Sequence, residues 1–268
     1  LLFMAVNWGL EAKKWQLSNR VLQSLSFWQS FKAVLTGTAI AAFTPNRMGE
    51  YFGRVLYIEE GKRTRSIALT IVGSMAQFVV TLVFGMVGVF YLEWHLHSDT
   101  THLFQQTSLN ILLGVVSVGL LFLLIFYFRL PGMVRKLSGW GKFSQYVKIL
   151  KDLPPTMLLQ ILCLSFARYM VFVVQYGLLF SAFSVNLSFA ELFGGISVMY
   201  LVMAVVPTFT FLTDLGLRWG ASVKIMELFS SNMVGILAAS LGIWLINLII
   251  PALIGSLLIL SIKVFRIR

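Results

Sequence analysis

A chain of 268 residues that is 58% hydrophobic and only 12% charged, with a mean hydropathy of +0.86, lacks the surface of a water-soluble domain, because such domains carry about 25% charged residues. Its net charge of +11, from 21 Lys and Arg against 10 Asp and Glu, is an excess of the kind that binds nucleic acid. Here, however, the basic residues flank apolar segments, as in loops facing anionic headgroups, and this argues against a nucleic-acid partner. A single cysteine, Cys163, excludes an intrachain disulfide.

Leu1 to Leu10 is too short to cross a bilayer and lacks the basic leader and cleavage site of a signal peptide, so it is expected to be the remaining half of a spanning helix. Four basic clusters follow: Glu11-Ala-Lys-Lys14 with Arg20; Lys62-Arg63-Thr64-Arg65; Arg129 to Lys151; and Lys263, Arg266 and Arg268. Glu93 to Thr107 and Ser181 to Leu187 contain no Lys or Arg. The positive-inside rule places the four clusters in the cytoplasm and the other two loops outside.

Spanning a hydrocarbon core takes about 20 apolar residues. Ser66 to Leu92 is expected to run outward, Ser108 to Phe128 inward, Thr156 to Phe180 outward, and Met233 to Ile262 inward. Phe27 to Glu60 must then begin and end inside, and Phe189 to Leu228 must begin and end outside. Each is interrupted by a helix breaker, Thr44-Pro45-Asn46 in the first and Pro207-Thr208-Phe209-Thr210 in the second. The simplest solution is two re-entrant hairpins entering from opposite faces. The other is a pair of full crossings in each stretch, for which the charged second arms are short.

The order of breaker, acid, arginine four residues on and long helix occurs twice. Pro45, Glu50 and Arg54 precede Ser66 to Leu92, and Pro207, Asp214 and Arg218 precede Met233 to Ile262, with Gly49 and Gly216 near the acids. Copies of opposite orientation with broken helices are the pattern of transporters that bind cargo at the midplane. The expected fold is therefore an all-α polytopic membrane protein, a single transmembrane domain over 1–268 with repeats at about 27–92 and 189–262. Residues 129–155, where Val134, Leu137, Trp140, Phe143, Tyr146, Val147 and Leu150 recur at helical spacing, are expected to form an amphipathic cytoplasmic loop in the headgroup layer.

Charged side chains at bilayer depth cost about 2.5 kcal/mol or more and need partners. Arg47, Glu50 and Arg54 lie around the first break, Asp214 and Arg218 follow the second, and Arg168 stands inside a spanning helix with no acid within a turn. Glu50 with Arg54, and Asp214 with Arg218, are at the four-residue spacing that pairs on one helix face. Two acids against four arginines leave positive charge over, which a phosphate on a lipid headgroup or lipid-linked sugar would settle. The alternative is that these arginines cap carbonyls and pair with the acids without a ligand.

His95, His97, Asp99 and His102 read as a solvated loop rather than a metal site. Trp8, Trp15, Trp28, Tyr91, Trp94 and Trp140 read as an aromatic belt. There is no P-loop, G-x-S-x-G or H-E-x-x-H, so no cofactor, metal or ATP hydrolysis is expected, and transport would need an ion gradient, a partner or a downhill lipid gradient.

Thr44-Pro45-Asn46-Arg47-Met48-Gly49-Glu50 with Arg54 resembles the P-x-R-x-G-E-x-x-R signature of the lysylphosphatidylglycerol synthase transmembrane (flippase-like) family. The stretch from Pro207 to Gly220 is similar to that family's second segment but has Thr213-Asp214-Leu215-Gly216 in place of Gly-Gly-x-Gly. The resemblance implies a bacterial cytoplasmic (inner) membrane protein that moves lipids such as aminoacylated phosphatidylglycerol between leaflets, or acts with lipid-linked glycans. Pro45, Arg47, Gly49, Glu50 and Arg54 would then line the headgroup path. The leading expectation is a lipid flippase, not an enzyme, with an anionic phospholipid or lipid-linked phosphate as partner and Arg168, Asp214 and Arg218 completing the site. Two other readings stay open: an enzyme or subunit acting on a polyprenyl phosphate, with Glu50 or Asp214 as general base, and a non-transporting scaffold. A homo-oligomer or a partner enzyme is compatible with each.

Overall fold

A computed structural model describes residues 1–96, 103–137, 148–209 and 211–266, and every regular element among them is helical. The long helices are α1 (Leu2–Asn19), α2 (Phe27–Ala41), α4 (Arg63–Leu96), α5 (Leu103–Leu137), α6 (Pro155–Ala182), α7 (Phe189–Val205), α8 (Phe211–Met226), α9 (Met233–Trp244) and α10 (Ile250–Arg266), with a short α3 at Gly49–Arg54. Among the described residues four helical stretches are long and apolar enough to cross a membrane: Glu60–His95, Ser117–Arg135, Pro155–Ala182 and Met233–Ser261. Each overlaps one of the four spans read from the sequence, the second lying further along the chain than Ser108 to Phe128, because in hydrocarbon the backbone must satisfy its own hydrogen bonds within each segment.

The two interrupted stretches break where proline predicts. α2 ends at Ala41, a 3-10 turn covers Pro45–Arg47, and α3 follows; α7 ends at Val205, with α8 starting at Phe211. The first arms start alike. Ser26 with Gln29, and Ser188 with Glu191, form reciprocal capping boxes in which serine accepts the N3 amide and the N3 side chain accepts the serine amide. Ser26 and Ser188 are offset by 162 residues, as are Pro45 and Pro207, and Asn46 and Thr208. The second arms differ. α3 is six residues followed by a 3-10 turn at Val55–Tyr57, whereas α8 has 16.

Close approach of backbones sets the helix spacing at several crossings, among them that of Gly53 with Gly37 and that of Gly88 with Gly194. A Cβ on Gly53 would lie 2.5 Å from Gly37 Cα, so α3 folds back on α2 with almost no side chain between them. A Cβ on Gly88 would lie 2.7 Å from the Gly194 carbonyl oxygen where α4 meets α7, the small-residue contact common between helices in lipid. Gly216, by contrast, has open space around it, so the glycines near the two acids do unlike jobs.

Three expectations need correction. α1 is continuous to Asn19 and buries Glu11 and Lys14, so these two are not part of a cytoplasmic cluster; their charges are met inside the protein. Trp8 and Trp15 are 2% and 1% exposed and so do not sit in an aromatic belt, unlike Trp28 and Trp94, which are exposed. α5 continues through Pro131 to Leu137, and Val134 and Leu150 pack with Leu69, Val72, Tyr127 and Leu158 rather than facing headgroups. Trp140, Phe143, Tyr146 and Val147 of the expected amphipathic loop lie outside the described residues, as do His97, Asp99 and His102; His95 stacks on Tyr91.

The tight crossing is directly testable. Gly53→Ala should lower the thermal midpoint of the purified protein in detergent, because the added methyl meets backbone atoms that cannot move aside. Gly216→Ala should leave it unchanged or raise it slightly, as alanine is the better helix former by about 1 kcal/mol.

Candidate functional site

Glu11 of α1 is the hub of a buried ionic cluster. Its Oε1 accepts from Arg54 Nη2 at 2.9 Å, while its Oε2 accepts from Lys14 Nζ at 2.7 Å and from Arg168 Nη1 at 2.8 Å. Arg54 also pairs with Glu50 one turn back on α3. One carboxylate therefore ties α1 to α3 and to α6. Arg168 is held further by its Nε, which donates to Asn7 Oδ1 at 2.8 Å, and its guanidinium carbon lies 5.2 Å from the Trp8 ring centroid and 5.6 Å from that of Phe172. Arg168, with no acid within a turn on its own helix, is thus met at one of its nitrogens by Glu11 of another helix.

Asn7 reaches onward to a third region, its Nδ2 donating to Asn247 Oδ1 at 3.2 Å. Asn247 sits in a π turn, Leu245–Ile249, between α9 and α10, where the Ile250 amide donates to the Leu245 carbonyl. Pro251 has no N–H to offer the Asn247 carbonyl, so the helix widens there. Neither asparagine was singled out from sequence. Within a helix a lone polar residue leaves no periodic signal, and only the meeting of α1 with the π turn gives these two meaning.

Arg168, Asn7's partner, forms one wall of a cavity of about 550 Å³. Arg47, Arg218 and Asp214 line it as well, with Asn46 and Thr208 from the two breaks, Gln77 and Thr81 from α4, Trp8 from α1 and Asn247 from the π turn. Arg218 Nη2 lies 3.4 Å from Asp214 Oδ2, and its Nη1 donates to the Tyr176 hydroxyl at 3.2 Å. Arg47 is exposed, and among the described residues no carboxylate pairs with it. Asn46 and Arg47 have φ of 48° and 58°. The left-handed region costs a residue with a Cβ roughly 1–2 kcal/mol, so the break is held open by its surroundings.

Of the eight candidate residues, four line the cavity: Arg47, Arg168, Asp214 and Arg218. Pro45, which is exposed, and Gly49, Glu50 and Arg54 are not among the residues that line it. Arg54 is 2% exposed within the ion cluster, and a Cβ on Gly49 would lie 2.6 Å from the Ile40 carbonyl. Glu11 and Lys14 join the charge account, giving five cations against three carboxylates, an excess of two positive charges. The backbone amides at the breaks are partly used by the protein. Thr44 Oγ1 accepts from Gly49 N–H at 2.7 Å, and Thr213 Oγ1 from Phe209 N–H at 3.0 Å, leaving the arginines as the principal attraction for an anion.

A family described as the lysylphosphatidylglycerol synthase TM region matches residues 1–255. The chain belongs to that family. No curated protein and no solved structure matches it. As a family member with four spanning-length apolar helices, the chain is an integral membrane protein of a class concerned with lipids.

Removing one partner from a buried ion cluster costs about 3–5 kcal/mol, because the remaining charges are left uncompensated. Glu11→Gln takes the carboxylate from Lys14 and Arg168 and leaves Arg54 with Glu50 alone, and should lower stability by an amount in that range, measured by denaturant titration in mixed micelles. Glu60→Gln removes the carboxylate of an exposed pair and should change stability by less than about 1 kcal/mol.

Proposed function

We propose that this protein is a lipid transporter that carries an anionic headgroup between leaflets through the cavity walled by Arg47, Arg168 and Arg218, while the acyl chains stay in lipid. The observation that carries this reading is the charge of the cavity. Three guanidiniums face a space large enough for a headgroup, the carboxylate among them is taken by Arg218, and Arg47 has none. A phosphate completes such a set, because guanidinium donors match its oxygens in parallel pairs. Glu11 fixes the position of Arg168, so the cavity keeps its shape when empty.

In this reading the two interrupted stretches are re-entrant hairpins of an inverted repeat, entering from opposite faces and meeting at the cavity. The equal offset of the capping serines, the prolines and the residues after the prolines supports it, as does the contact between the two breaks. The basic ends of α4 and α10 then face the cytoplasm of a bacterial inner membrane. Among the described residues the acid lining the cavity, Asp214, is paired with Arg218 rather than standing apart as a general base would, which favours carriage over chemistry.

Arg47→Ala is the variant that separates function from folding, since Arg47 is exposed and makes no ion pair among the described residues. In vesicles containing a headgroup-labelled anionic phospholipid, the wild-type protein should expose inner-leaflet label to a membrane-impermeant quencher. Arg47→Ala should keep its thermal midpoint and slow exposure at least about tenfold, as expected from losing a charge-assisted bond worth about 1.5–3 kcal/mol. Equal rates for the two proteins would remove the proposal.

A further inference from the structure

The two helix breaks touch at one place. The Asn46 amide donates to the Thr208 carbonyl at 2.8 Å, and the Thr208 amide donates back to Asn46 Oδ1 at 3.2 Å. These residues are 162 apart, the offset that also relates Ser26 to Ser188 and Pro45 to Pro207. The bond pair thus joins equivalent positions of the two interrupted stretches, with the Thr208 backbone carbonyl as one acceptor and the Asn46 side-chain oxygen as the other.

Three features mark this contact as a movable one. Both residues line the cavity, and Arg47, Thr208 and Asp214 also line a small adjoining void with Ala41, Thr44 and Leu248, so the breaks form the partition between the two spaces. The partition is thin, with Pro45, Asn46, Arg47 and Pro207 all exposed and with proline removing the helical hydrogen bonds that would stiffen it. The left-handed backbone at Asn46 and Arg47 is unfavourable for residues with a Cβ and needs an outside constraint. Thr208 supplies one from the opposite stretch. Asparagine suits the position because it tolerates left-handed φ and brings its own acceptor.

We infer that Asn46 is a latch: its two hydrogen bonds to Thr208 hold the breaks together and aim Arg47 into the cavity, and their release is the step that opens the partition to let the headgroup cross. The inference rests on the transport reading above. It places the moving joint where two hydrogen bonds join the two interrupted stretches. It also links release of the latch to release of the anion, because Arg47 loses its constraint when Thr208 leaves. Such a joint is what alternating access between repeats requires at a fixed midplane site.

Replacing Asn46 and Thr208 by cysteine in a Cys163→Ser background allows the latch to be tied covalently. Oxidation, or a short thiol-to-thiol reagent, should link the pair in the purified protein, and the linked protein in vesicles of labelled anionic phospholipid should show translocation at the protein-free background. Reduction with dithiothreitol should restore the rate. Unchanged translocation by protein shown by mass to be fully linked would overturn the latch while leaving the transport reading intact, and failure of the cysteines to link at all would overturn it equally. If neither the reduced pair nor the Cys163→Ser parent translocates label, the transport reading itself fails and the latch with it.

Discussion

A carboxylate with 5% of its side chain exposed and three cations upon it is the constraint around which this membrane domain is arranged. Glu11 binds Lys14 on its own helix, Arg54 on α3 and Arg168 on α6. Without it those charges would repel one another in a medium that screens them poorly. With it, α3 is fixed although it is only six residues long, and Arg168 is presented to the cavity with its ring partners Trp8 and Phe172 in place. Burial of such a cluster costs desolvation that an apolar core would avoid. Its retention is therefore better explained by what it positions than by what it stabilises.

The cavity and the cluster place the four arginines in different settings. Arg54 is enclosed and neutralised, Arg168 is shared between Glu11 and the cavity, and Arg218 is paired with Asp214 but faces inward to the same space. Arg47 is left over. In the transport reading proposed above, such a graded series would hold a headgroup anion without binding it permanently, since some of its donors remain committed to the protein. The break of the first stretch brings Arg47 to the cavity, and a pair of hydrogen bonds between Asn46 and Thr208, one donated by each amide, joins the two breaks beside it.

Much of the architecture could be read from the sequence because lipid allows few solutions. Ser66 to Leu92 and Met233 to Ile262 had to be helices once their length and apolarity were seen, and Pro45 and Pro207 had to interrupt whatever contained them. Glu50 with Arg54 and Asp214 with Arg218 were legible as pairs from spacing alone, and both ion pairs form. Glu11 and Lys14 were not legible: counting basic residues to orient loops treats every charge near a helix end as solvated, and nothing local distinguishes a buried Glu11 from a surface one. Asn7, Asn247 and the indole of Trp8 escaped for a related reason, since their roles arise only when α1 meets α6 and the π turn. The capping serines Ser26 and Ser188 carried a readable signal, an S-x-x-Q and an S-x-x-E box, that extends the repeat upstream of the prolines.

The account stands on an excess of positive charge inside the protein that an anion from the membrane completes. Its most direct test is a high-resolution structure of the protein in nanodiscs containing an anionic phospholipid with a brominated or otherwise electron-dense headgroup. The account predicts density for the phosphate within hydrogen-bonding distance of Arg47 and Arg168, with the acyl chains leaving the cavity toward lipid. A cavity filled by an acyl chain, or by water alone at saturating lipid, would contradict it.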